Sequence, residues 1–256
     1  MDSPRVALMQ PTFLPWQGYF GLVAAAEVFV LLDDFQFQRH SFQQRNRIRL
    51  ADGTESWITL PVAHPADGAF PTLAESAPVV DAKWRRRLKA TLDQSYGKAP
   101  HHSTLRGFVD EWIDAPWTTV ADLNIAFIRM VAARLGFEPV WRRSSEVGAT
   151  GTRSERVLDL LHRTGARTYL CARGSYDYMV EDAVFPVDDV DVVFQDFAPQ
   201  PYAQRRADDF VSHLCVLDAL FEVGPDATRR LVLEGQREWT PWRAMPAMTA
   251  ATRAEP

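Results

Sequence analysis

Two cysteines in 256 residues, Cys171 and Cys215, are too few and too far apart for a Cys-x-x-Cys redox or zinc pair, or for a secreted disulfide scaffold. No uncharged apolar run approaches the roughly 18 residues of a spanning helix. The apolar stretch after Arg5 is too short for a signal peptide. A cytoplasmic protein with no membrane partner is therefore expected. Positive charge is not in excess either: 28 Lys and Arg stand against 33 Asp and Glu, a net charge of -5. That argues against a broad nucleic-acid-binding field, although the basic residues cluster locally. GxSxG, HExxH and Walker loops are missing. The histidines show no metal-ligand spacing, so no metal site is expected. No internal repeat is present.

What remains is ordinary globular material, 46% hydrophobic and 24% charged. Arg5 to Met9, Val28 to Leu32, Thr168 to Ala172 and Asp191 to Phe194 are short apolar runs that read as buried strands. Gln17 to Ala26 reads as a helix between the first two, which makes a βαβ crossover. Glu55 to Val62 reads as extended, and Phe137 to Trp141 as a further strand. Helices are expected at Trp84 to Leu92, Leu105 to Ile113, Val120 to Leu135, Glu155 to His162 and Phe210 to Phe221, the last ended by Gly224-Pro225. The fold class is α/β: a Rossmann-like, mostly parallel sheet with covering helices and a helical insertion at about 81–136. A single domain over 1–242 and a disordered tail over 243–256 complete the expectation.

Four segments carry chemistry-bearing residues. Gln10 to Tyr19 joins a strand end to a helix start, where open α/β sheets bind ligands. Trp16 and Tyr19 offer flat faces, Gly18 allows close approach, and the helix start offers free N–H groups. The alternative is that these aromatics are core. Asp33 and Asp34 end the second strand, followed by Gln36, His40, Arg45, Asn46 and Arg47. The carboxylates suit an amine, a ribose or hydrated Mg²⁺; the arginines suit phosphate or carboxylate. An internal ion-pair network, with Asp34 neutralised by Arg45 or Arg47, is the alternative. Thr150 to Arg156 runs a Gly/Thr/Ser loop into a helix, with Ser154 or Thr152 as cap and Arg153 and Arg156 close by, an arrangement that suits phosphate. Tyr169 to Ser175, with Gly174, ends another strand and offers a second wall of the same crevice. Cys171 within it reads as a buried small hydrophobe.

These segments, in this order, resemble the WbqC-like protein family. The matching residues are Gln10-Pro11 to Pro15-Trp16 with Gly18-Tyr19-Phe20, Val30 to Asp34 with Gln36-Phe37, and Gln44 to Ile48. Leu60-Pro61-Val62, Asp122-Leu123-Asn124, Ser154-Glu155-Arg156, Gly165-Ala166 and Phe210-Val211 to Leu217-Asp218 follow, so the likeness runs from about Val6 to Leu231. The chain departs at Gln38 to Phe42, where a lysine and a tryptophan are usual, and at Ser212 to Cys215, where Asn-Leu-Ser is usual. The resemblance implies a setting in bacterial surface-polysaccharide synthesis, or in a small-molecule pathway. The reaction suspected there is acylation or aminoacylation of an amino sugar. Val6 to Phe37 is also similar to the opening of pantothenate synthetase, with Trp16-Gln17-Gly18-Tyr19 in place of an H-x-G-H turn.

The functional expectation is amide formation by acyl or aminoacyl transfer to a small-molecule amine. Asp34, Asp33 or His40 would be the base. Gln10, Trp16, Gly18, Tyr19, Gln36, Arg45, Asn46, Arg47, Ser154, Arg156 and Gly174 would bind substrate. An aminoacyl-tRNA or a carrier protein is the candidate donor, and a homodimer the candidate assembly. An adenylate-forming ligase using ATP and Mg²⁺ is one alternative; a non-catalytic binding protein in a biosynthetic complex is the other.

Overall fold

The computed structural model describes residues 4–64, 69–205 and 209–246. Its strands are β1 (Arg5–Met9), β2 (Val28–Leu31), β3 (Arg45–Arg49), β4 (Glu55–Thr59), β5 (Val140–Arg143), β6 (Thr168–Cys171), β7 (Asp191–Phe197) and β8 (Gln236–Pro241). Its helices are α1 (Gln17–Ala25), α2 (Ala82–Tyr96), α3 (His102–Asp114), α4 (Val120–Arg134), α5 (Ser144–Val147), α6 (Arg153–Arg163), α7 (Tyr176–Asp182) and α8 (Val216–Gly235).

Six strands form one sheet in the order β5-β2-β1-β6-β7-β8. All neighbours are parallel except the β7–β8 edge pair. This is the mostly parallel, Rossmann-like α/β architecture expected. The apolar runs sit at its centre because both faces are covered. Alternation along the strands divides them: Ala7, Phe29 and Leu170 face a core with α1, α3, α4 and α8. Val6, Val30 and Cys171 face the other, with α6 and α7. The chain leaves β1 for β2 on one side and later returns to β6 on the other, so the topology reverses between β1 and β6.

The stretch expected to be helical between Asp81 and Gly136 carries α2, α3 and α4. Asp81 caps α2 by accepting from Trp84 N at 2.7 Å, and Thr119 caps α4 by accepting from Asp122 N at 3.0 Å. Gly136, at φ 67°, closes α4. Three expectations differ from the structure. Phe210 to Leu214 is not helical, and α8 begins only at Val216. Gly224 does break that helix, at φ 80° and ψ 172°, but Pro225 then opens a second run to Gly235, since proline suits a first helical turn. Arg45 to Arg49, read as a site segment, is a strand paired with β4 in a separate two-stranded hairpin. The tail expected from Arg243 lies outside the described residues from 247 onward. Trp242 packs 5.1 Å from the ring of Tyr176 and 5.8 Å from that of Phe194.

The loop from Gln10 to Trp16 crosses the end of the sheet with its carbonyls buried. Most of them find a donor from elsewhere in the chain. Asn124, fully buried, donates to Pro11 O and Gln43 O, both at 2.9 Å. Asn46 donates to Leu14 O at 2.8 Å and Phe13 O at 3.3 Å. Val216 N takes Pro15 O at 2.9 Å. Asn124→Ala strands two buried acceptors. It should cost about 2–4 kcal/mol in urea unfolding; a loss below about 0.5 kcal/mol would show that the loop is held by other means.

Gly18 has a different use from the one expected. A Cβ there would lie 2.2 Å from Cζ2 of Trp16, so glycine lets the indole lie across the start of α1. Gly18→Ala should lower stability by about 1–3 kcal/mol by displacing that ring, with a matching change in tryptophan fluorescence.

Candidate functional site

At the carboxyl ends of β1 and β6, where the topology reverses, a cleft of about 520 Å³ opens. Leu8, Leu32, Phe35, Val157 and Tyr169 give it an apolar floor and side, and the half-exposed Phe42 stands at its edge. Its polar lining is almost wholly amide and hydroxyl: Gln10, Thr12, Gln38, Ser41, Gln43, Ser175 and Tyr178. Among the described residues that line it, the one formal charge is Arg153. Its Nε pairs with Asp182 at 2.8 Å.

The amides are pre-set. Gln43 Nε2 donates to Gln10 Oε1 at 2.7 Å, while Gln43 Oε1 accepts from Gln38 N at 2.6 Å. Ser41 Oγ donates to Gln38 O at 2.6 Å and accepts from Gln43 N at 3.2 Å. The Gln10 amide is thereby oriented by its oxygen, which leaves its N–H donors without a partner among the described residues. On the opposite side the hydroxyls of Tyr169, Tyr178 and Ser175 lie near one another and near Cys171. Burial pushes the Tyr178 phenol up to about 12 and the Cys171 thiol up to about 11. Near neutral pH both keep their protons, so Tyr178 is a hydrogen-bond donor and Cys171 is not a thiolate nucleophile.

The residues expected to form the site divide between this cleft and the scaffold around it. Gln10 lines the cleft, as does Ser175, next to the exposed Gly174 that was expected there. Trp16 and Tyr19 do not. Trp16 packs between Phe197 and His213, at ring separations of 5.2 and 4.6 Å. Tyr19 is buried in the core, its hydroxyl on Gln10 O at 3.3 Å. The start of α1 is covered by a strand-like bridge between Trp16 and Cys215.

Asp33 is buried and caps α5. It accepts from Ser145 N at 3.1 Å, Ser145 Oγ at 2.8 Å and Ser144 Oγ at 3.2 Å. Asp34 accepts from Ser144 Oγ and pairs with Arg156, whose guanidinium lies 5.1 Å over the ring of Phe35. The internal-network alternative therefore describes Asp34, with Arg156 as its partner in place of Arg45 or Arg47. Arg45 lies 4.4 Å over Trp57, and Arg47 bonds Glu55 at 2.7 Å across the hairpin. Asn46 is spent on the proline loop. Gln36 is exposed and bridges to Thr72, and His40 is an exposed turn residue at φ 60°.

Ser154 shows how the scaffold consumes a predicted anion site. Its N–H and Oγ both donate to Asp182 Oδ2, at 3.2 and 2.7 Å. The Ser154 hydroxyl, then its backbone N–H and Arg153, hold the Asp182 carboxyl below its usual range. The start of α6 does bind an anion, and that anion is the protein's own. Among the described residues no cluster of three or more His, Cys, Asp or Glu is placed to hold a metal ion, and no helix is long and apolar enough to cross a membrane.

The sequence reading missed Gln43, Gln38, Ser41 and Tyr178. Three of them lie between Gln36 and Arg45, where a run of five polar residues in six had been weighed for charge and not for amides. Tyr178 sits in α7, a seven-residue helix too short to show a clear helical period in the sequence.

No solved structure matches this chain, and the comparisons lend no support to the likeness to pantothenate synthetase. A protein of Mycobacterium tuberculosis described as uncharacterized, Rv1507c, is 25% identical over 224 residues, 87% of this chain and 95% of that one. The family model for the WbqC-like protein family matches residues 10–230, spanning both the cleft and its scaffold, and the chain belongs to that family.

Proposed function

We propose that the switch-point cleft holds a small, hydrogen-bonding substrate of the sugar type through neutral groups, and that the protein transfers an acyl or aminoacyl group to an amine on it, which reacts in its unprotonated form. The observation that carries this reading is the lining: oriented amides and hydroxyls around an aromatic and aliphatic floor, with a single cation already paired. Pyranose hydroxyls want many neutral donors and acceptors plus a flat apolar surface, and this cleft offers both. In the transfer a C–N bond forms, the bond between the acyl group and its carrier breaks, and the amine proton leaves with the carrier. With Cys171 held as a thiol, the acyl group passes directly to the amine without a thioester on the enzyme. The contribution of the chain is positioning, with Gln10 and Tyr178 donating to the substrate.

The ATP-dependent alternative needs cations for a triphosphate. Arg45, Arg47 and Arg156 are committed to Trp57, Glu55 and Asp34, and Arg153 to Asp182. The lining of the cleft thus favours a preactivated donor over ATP.

Calorimetric titration with glucosamine, galactosamine and their N-acetyl forms tests the reading. Gln10→Ala and Tyr178→Phe should each weaken binding about three- to tenfold, the worth of one hydrogen bond. Arg47→Ala should leave affinity unchanged. Failure of every sugar to bind, or a loss in Arg47→Ala equal to that in Gln10→Ala, would remove the cleft as the site. Sugar binding without transfer from any acyl-carrier or aminoacyl donor would reduce the protein to the non-catalytic alternative.

The buried thiol adds a second expectation. Cys171 in the folded protein should resist iodoacetamide near neutral pH and react only on unfolding. Rapid alkylation of the native chain at Cys171, read by mass spectrometry, would reopen a covalent route.

A further inference from the structure

The end of β3, the last turn of α2 and the first turns of α8 enclose a second cavity, of about 340 Å³. It shares no lining residue with the switch-point cleft. Its size falls at the small end of ligand pockets. Arg49, Ser95, Tyr96, Arg205, Asp218 and Glu222 are part of its wall.

The charges in its wall are neutralised unevenly: Glu222 pairs with Arg205 and Asp93 with Arg106, while Arg49, Asp218 and Lys98 have no ion pair among the described residues. Asp218 is 1% exposed, and its Oδ2 accepts from the Tyr202 hydroxyl at 2.6 Å and from Gln204 Nε2 at 3.0 Å. Both donors are neutral. Arg49 is 4% exposed; its Nε donates to Gly53 O at 3.2 Å, and its Nη1 is buried with no acceptor. No ion pair joins Arg49 or Asp218 to another described residue. Glu222, one turn beyond Asp218, is met by Arg205 Nε at 3.2 Å. Ser95 Oγ is also buried without a partner. Burial raises the carboxyl of Asp218, and hydrogen bonds from Tyr202, Gln204 and Tyr96 and the charge of Arg49 bring it partly back. Burial raises Glu222 as well, against the pull of Arg205.

A buried carboxylate and a buried guanidinium on one cavity, each without a counter-charge in contact, is a costly arrangement. A lone anion would satisfy Arg49 but add negative charge beside Asp218 and Glu222. A lone amine would satisfy the carboxylates and leave Arg49 bare. One small molecule carrying both charges completes both. We propose that this cavity binds a small zwitterion of the α-amino acid class, with its carboxylate on Arg49 and its ammonium on Asp218. Glu222 flanks the ammonium, and the Ser95 hydroxyl remains for a third hydrogen bond. The inference stands on this cavity alone and does not depend on what the switch-point cleft binds.

Calorimetry on the full chain tests it. The probes are a set of protein amino acids of graded size, with acetate, methylammonium and inorganic phosphate as single-charge controls. At least one amino acid should bind about tenfold or more tightly than acetate or methylammonium. Asp218→Asn and Arg49→Gln should each weaken that binding by a similar factor. The comparison between zwitterion and single-charge probes uses the native chain, so it holds even where Arg49→Gln fails to fold. Acetate or phosphate binding as tightly as the amino acids would overturn the zwitterion. No amino acid binding at millimolar concentration would overturn the site. Unchanged affinity in Asp218→Asn would also overturn the assignment.

Discussion

Buried carbonyls must find donors, and the loop from Gln10 to Trp16 has few of its own to offer. Pro11 and Pro15 lack N–H groups. The loop closes the end of the sheet where the topology reverses, so its carbonyls cannot turn to water. Asn46 from β3 donates to two of the loop's carbonyls, and Asn124 from α4 to one of them and to Gln43 O. Two elements distant in sequence are thereby fastened to the first strand–helix connection. A buried amide with two satisfied donors is worth more for uniqueness than for energy, since any shift of the loop would strand several polar groups at once.

The same network reaches the cleft. Asn124 holds Gln43 by its backbone carbonyl, and the Gln43 side chain then fixes Gln10 through Oε1 and receives Gln38 N. A core asparagine therefore governs, through one residue, the amides that face the cleft. Ligand groups positioned this way lose little entropy on binding, because the protein has ordered them in advance. The stretch Gln38 to Phe42, where the sequence comparison led us to expect a departure from the family, falls on this arm of the cleft. Gln38, Ser41 and Phe42 all line it.

The sheet was legible in the sequence because its central strands are continuous apolar runs, and no helix of such length competes for them. β3 was not, although Arg45-Asn46-Arg47-Ile48-Arg49 alternates with period two and buries Asn46 and Ile48. Its charge drew attention to chemistry, while its alternation marked a strand. β8 was missed because Arg237 and Glu238 make it polar, as an antiparallel edge strand can be. A candidate location was legible for the same reason as the sheet, because ligands in open α/β sheets gather outside the carboxyl ends of strands, and a cleft lies there. Its members were not. Large aromatics next to glycine look like ligand walls, yet Trp16 fills the space that Gly18 leaves. Asp33 and Asp34 look like acids in search of a substrate, yet two serines and an arginine more than a hundred residues away consume them. Local sequence shows which groups are reactive in principle; only the tertiary structure shows which have already been neutralised.

That distinction separates the polar regions of this protein. Asp33 faces Arg143 at 3.8 Å, Asp34 pairs with Arg156, Asp182 with Arg153 and Arg47 with Glu55, so each of these charges meets its opposite within the chain, which makes them structural. In the switch-point cleft almost no charge is present, so specificity there must come from hydrogen-bond geometry. Around Arg49 and Asp218 the charges are present, buried and left apart. The other buried carboxylates have a cation beside them, Asp33 with Arg143 at 3.8 Å and Glu222 with Arg205 at 3.2 Å, so the chain has the means to satisfy such groups internally. Where it leaves two opposite charges facing one enclosed space, the missing counter-charges belong to a molecule that enters.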